Sequence, residues 1–258
     1  MGPSSWSLPG AKTRLMTQGL PGLPEIDTNE YGGKKDGIRQ SMDRRLFMQL
    51  LVFDTVDVAR AMHDLETGLR AATIPGVIYA DTASPRGMAL LTWAEDPARF
   101  VRDVRPIFQK GALANVTMRD EFEMLGRTYS TGHEPELQHT LLQRPIERVM
   151  DQECPWHVWY PLRRSGAFAK VEGIEVSHMM REHAAIGMAY GQKGLAHDVR
   201  LACHGLDAKD NEFVIGLIGK ELFPLSHLVQ AMRKTRQTSE FITQMGPFFV
   251  GYVTNRVG

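Results

Sequence analysis

Nine histidines, a scatter of arginines and the stretch "WYPLRR" are the residues of this chain best suited to chemistry beyond packing. In "IEVSHMMREHAAIGMAYG", Met179, His183, Ile186, Gly187 and Tyr190 recur at helical spacing and share one face, so His183 points inward. An inward imidazole serves either as a core histidine bonded to a carbonyl or as a neutral axial ligand to a haem iron; the spacing leaves both open. Gly187, one turn on, leaves room for a flat macrocycle. His178, Glu182 and His183 read H-x-x-x-E-H, which lacks the shared ligand face of a zinc helix. Arg200 in "DVRLAC" alternates with Val199 and Leu201, so it shares a strand face with small residues. A guanidinium fixed there binds an anion or stabilises developing negative charge. Arg163 and Arg164 follow a strand, whereas Arg233 and Arg236 sit at a helix end, where positive charge is favourable.

Composition narrows the partners of these groups. The chain has 258 residues, 43% of them hydrophobic, and its 30 Lys and Arg balance 30 Asp and Glu. No global field gathers a polyanion or an anionic bilayer, so neither nucleic acid nor membrane is expected as a partner. No apolar run reaches the roughly 20 residues of a membrane span. Cys154 and Cys203 are too few for a disulfide framework and fit a reducing cytosol, so a cytoplasmic location is expected. Phosphate-binding glycine motifs and the G-x-S-x-G elbow are missing.

The elements that must position these residues repeat. Residues 1–42, rich in Gly, Pro, Ser and Lys, read as an extended N-terminal arm. Residues 43–130 give strand, helix, strand, strand and helix: "RLFMQLLVF", a stripe of Val58, Ala61, Met62, Leu65 and Leu69, "GVIYADT", "GMALLTWA", and a helix capped by Asp96 with Pro97 first. A polar connector spans 131–155. Residues 156–258 run through the same order again and close on the strand "GPFFVGYV". This pattern predicts an α+β fold of two duplicated ferredoxin-like βαββαβ halves, of the dimeric α+β barrel type.

The second half resembles the chlorite dismutase superfamily, which includes the coproheme decarboxylases of haem synthesis. The matching stretches are "LGRTYS", "WYPLRR", "MMREHAAIG", "GLD" followed by "EFVIGL", "LVQAMR" and "GPFFVG", over roughly residues 125 to 253. The resemblance implies a haem site in the C-terminal half and a homo-oligomer, commonly a pentamer. It makes His183 the axial ligand of a haem iron, Tyr160 the redox relay of decarboxylases, and Arg200 the distal arginine of chlorite-degrading members. Arg164 falls where the family has lysine, and Arg233 with Ser239 falls in the region that holds propionates. The acidic group that chlorite-degrading members place behind the proximal histidine has only Gln237 or Glu240 near its position. The implied activity is peroxide-dependent decarboxylation of iron coproporphyrin (coproheme) to haem b. The alternatives are chlorite decomposition on bound haem b, or haem binding and sensing without turnover.

Overall fold

The computed structural model describes residues 23–258. Of the expected extended arm, positions 1–22 lie outside the described residues, and the remainder is more ordered than its sequence predicts. Glu30–Lys35 (β1) and Ile38–Met42 (β2) pair as an antiparallel hairpin. The chain turns through Asp36 and Gly37, whose φ values of 52° and 83° lie in the left-handed region that glycine favours. The hairpin docks on the connector: Gly33 N–H donates to the Glu134 carbonyl at 2.9 Å and the Gln40 amide to the same oxygen at 3.1 Å. Neither strand carries a continuous buried face, so no alternation marks it in the sequence.

The first half supplies Phe47–Asp54 (β3), Val58–Ala71 (α1), Gly76–Asp81 (β4), Gly87–Ala94 (β5), Thr117–Met118 (β6) and Met124–Arg127 (β7). Asp57 caps α1 by accepting the Arg60 amide at 3.0 Å, and Ala61, Leu65 and Leu69 form its buried stripe. The helix expected after Asp96 is broken into a π turn at Phe100–Val104 and 3₁₀ segments at Arg105–Gln109 and Gly111–Asn115. Pro106 removes a backbone donor there. Across the connector, a π turn at His139–Gln143 runs into Arg144–Met150 (α2). It buries Leu137, Leu141, Leu142 and Val149, so the connector is structural as well as polar.

The second half adds Trp156–Arg164 (β8), Gly173–Gln192 (α3), His197–Ala202 (β9), Phe213–Gly219 (β10), Leu222–Met232 (α4), Ile242–Met245 (β11) and Phe249–Val257 (β12). Strand order is β10-β9-β7-β3-β5-β4-β12-β8, and a further β10–β8 pairing closes the ring, with β11 continuing beside β8 and β6 beside β3. Each half thus has ferredoxin-like order, and the last strand of each pairs with the second strand of the other. The two seams are unequal. β4 and β12 pair from Gly76↔Val257 to Asp81↔Gly251, whereas β7 and β9 meet at the single pair Arg127↔Ala202.

Side chains inside the ring form one core, including Trp159, Tyr79, Phe249, Met48 and Leu201. Two outer cores lie under α1 and under α3 and α4. Strand alternation sorts β8 between them: Trp159 is fully buried in the ring, and Tyr160 belongs to the layer under the helices. Gly216 makes the inner position possible, because a Cβ there would come within 2.6 Å of the Trp159 ring.

Candidate functional site

Register sets the row of side chains beneath α3. Ile215 on β10 lies opposite both Tyr160 on β8 and Arg200 on β9. The three therefore line one outward row across adjacent strands. The Tyr160 ring, 6% exposed, stacks on Phe248 with centroids 4.5 Å apart, and its hydroxyl makes no hydrogen bond among the described residues. Burial raises its pKa above the usual tyrosine range; Asp198 adds to the shift and Arg233 opposes it. The phenol therefore stays protonated at neutral pH.

Above the row, α3 carries the expected face. Met179 is buried, and His183, Ile186, Gly187 and Tyr190 are half-buried, while Glu182, Ala184 and Ala185 beside them are exposed. His183 Nδ1 is buried without a partner. Burial lowers the pKa of the ring, Arg200 lowers it further, and Asp198 and Glu182 oppose the shift. A neutral imidazole with an unsatisfied buried nitrogen is an unusual core residue and a fitting metal ligand. A Cβ added at Gly187 would meet only the Met232 methyl, at 3.7 Å, so the space beside His183 is open. Ile186, Ile215, Met232, Ile242, Met245 and Phe248 supply an apolar lining. An imidazole with a buried unpartnered nitrogen, an open space beside it and an apolar wall fit an iron porphyrin. Among the described residues no three or more of His, Cys, Asp and Glu are grouped to hold a bare metal ion.

The three arginines expected at the site are another matter, and two of them are already engaged. Arg164 is not a free anchor: its Nε donates to Glu212 at 2.9 Å, its Nη2 donates to the other carboxylate oxygen, and its guanidinium lies 4.1 Å from the Phe168 ring centroid. Glu212 is held below the usual glutamate range by this pairing, burial alone acting the other way. Arg200 lies 3.0 Å from Asp198, with 38% of its side chain exposed. Arg233 is exposed and forms no ion pair among the described residues. Ser239 Oγ donates to the Thr235 carbonyl at 3.0 Å, so its hydrogen is committed locally. Of the two groups near the expected acidic partner, Glu240 pairs with Arg236 at 3.0 Å, whereas Gln237 is buried with its Oε1 unpartnered.

Sequence reasoning missed Asp198 and Glu212. Asp198 was legible, since it sits two residues before Arg200 on the same face of β9. Glu212 was not, because it meets Arg164 only through the β8–β10 pairing, 48 residues apart in sequence.

The fold as a whole is similar to that of known proteins. The model of the chlorite dismutase family matches residues 89–254. Among solved structures, a heme-binding protein from Thermus thermophilus superposes with a TM-score of 0.64 at 17% identity, covering 82% of this chain and 92% of its own. A double mutant of the chlorite dismutase from Candidatus Nitrospira defluvii gives 0.66 at 12% identity, over 83% and 93% of the two chains. The same enzyme in complex with imidazole gives 0.64 at 12% identity, with 83% and 93% covered. No curated protein matches the chain in sequence.

Proposed function

Since the chain belongs to the chlorite dismutase family, we propose that it holds an iron porphyrin between α3 and the outward row of β8–β10 and decarboxylates iron coproporphyrin with hydrogen peroxide, giving haem b. The observation that carries the reading is Tyr160, a buried phenol with an unpartnered hydroxyl in an apolar wall, beneath the helix that bears His183. When bound, the porphyrin supplies both the peroxide-derived oxidising equivalent and the carboxylate that is lost.

The protein's own residues would do the rest. His183 presents a neutral ring, one nitrogen of which would be free for iron while the other keeps the proton. Burial of Tyr160 makes the phenolate costly, so oxidation of the ring requires its Oη proton to leave together with the electron. Arg233, whose charge acts on Tyr160, would hold the reacting carboxylate near that ring. Such a charge-assisted bond contributes about 1.5–3 kcal/mol, enough to orient a carboxylate without being the whole of binding. Arg164 would join only by exchanging Glu212 for a carboxylate, and Ser239 only by turning its hydroxyl away from Thr235. The apolar wall would exclude water from the oxidised ring.

A second reading, chlorite decomposition on bound haem b, is favoured by Arg200, which shares the row with Tyr160. Its pairing with Asp198 weighs against it, because the guanidinium is partly neutralised. Reconstitution separates the readings. A Soret band lost in His183→Ala is expected, and iron coproporphyrin with peroxide should yield haem b in the wild type and not in Tyr160→Phe. Conversion by Tyr160→Phe at the wild-type rate overturns the decarboxylase reading. Oxygen release from chlorite that disappears in Arg200→Ala would establish the second, and binding without either turnover would leave a haem-binding protein.

A further inference from the structure

Beyond the Arg127↔Ala202 pair the strands β7 and β9 separate, and α2 roofs the gap they leave. Tyr129, Thr140, Arg144, Asp198 and Arg200 line a niche there, with about 10 Å³ open to the centre of a water-sized particle. That is on the order of what one water or one monatomic ion needs. Its charges do not balance. Arg200 and Asp198 lie 3.0 Å apart and offset one another. Arg144 is half-buried, makes no hydrogen bond or ion pair among the described residues, and stays charged under any ordinary condition. Glu134, whose charge also acts on Arg144, is committed to Thr131 N–H at 2.6 Å, Thr131 Oγ1 at 2.7 Å, and the Gly132 and His133 amides at 3.0 Å. The hydroxyls of Tyr129 and Thr140 likewise make no hydrogen bond among the described residues and are free to donate.

We propose that this niche is a binding site for one small monovalent anion of halide size, held by Arg144 with the Tyr129 and Thr140 hydroxyls. Water would satisfy the donors but not the charge, and a half-buried guanidinium without a counter-charge carries part of a desolvation cost that an anion would offset. The site is separate from the porphyrin reading, though Arg200 links the two: an anion beside it competes with Asp198 for the same guanidinium.

Thermal unfolding of the porphyrin-free protein tests the site, with sodium chloride exchanged for sodium gluconate at fixed ionic strength. The wild type should show a saturable rise in Tm of about 2–4 °C once chloride is a few-fold above its Kd. The rise should vanish in Arg144→Gln. An equal response in gluconate, or one retained by Arg144→Gln, overturns the proposal. Should that variant fail to fold, crystals of the wild type soaked in bromide decide: an anomalous peak in the niche supports the site and its absence overturns it. Displacement of that bromide by iron coproporphyrin would assign the niche to a porphyrin carboxylate and overturn the free-anion assignment.

Discussion

At the scale of single residues, the site is governed by which charges are already spent. Glu212 and Arg164 are mostly buried, at 21% and 15% side-chain exposure, and bound through both carboxylate oxygens. Removing one partner leaves the other with a partly desolvated charge. Glu212→Gln should free the guanidinium and tighten binding of a porphyrin carboxylate, seen as a lower Kd for iron coproporphyrin in a Soret titration. Arg164→Gln should do the reverse and also lower the urea midpoint. His157 makes a different prediction. It is fully buried between Tyr79 Oη, 2.8 Å from Nδ1, and the Cys154 carbonyl, 3.1 Å from Nε2. The carbonyl can only accept, so Nε2 carries the proton and Tyr79 donates to Nδ1. Burial, helped by Arg256, pushes the pKa down from 6.5 to about 3. Between those values the unfolded chain binds a proton that the folded one refuses, so this contribution to stability is complete above pH 6.5 and lost as pH falls towards 3. The fall of the urea midpoint with pH should be shallower in His157→Gln, by about one proton.

At the scale of elements, helix faces were legible because α1 and α3 each bury one side, and the strands were legible as dense apolar runs because several of them bury both. Tyr160 and Trp159 separate cleanly on β8, and His183 lies on the α3 face that its spacing predicts. The hairpin at 30–42 was illegible because an edge ribbon of Gly, Lys and Glu buries too little to leave a period. The helix at 100–115 was legible in its start, capped by Asp96, but not in its break at Pro106. Strand contacts also fix residue size. Because Gly216 touches the Trp159 ring inside the closed ring of strands, Gly216→Ala should overpack it and lower stability by about 1–3 kcal/mol, read from urea unfolding. An alanine at Gly187, where only Met232 is near, should leave the protein without porphyrin almost unchanged.

At the scale of the whole molecule, the two ferredoxin-like halves were visible as a repeated order of elements. Their closure was not, since the pairing of β4 with β12 joins residues far apart in the chain. That long seam, and the wedge of α2 in the short one, hold the halves together independently of the peptide that links them. Gln152 and Glu153 are exposed after α2, and the buried connector side chains other than Cys154 lie before them. A cut between Gln152 and Glu153 would therefore cross only the local turn in which Cys154 donates to Asp151. Fragments 1–152 and 153–258, produced together, should reassemble into a folded pair that co-elutes and keeps the porphyrin response of the intact chain. Neither fragment alone should unfold cooperatively, because each would expose one side of a shared core. The unequal seams thus make the protein a natural pair of complementing pieces, one bearing the wedge and the other His183.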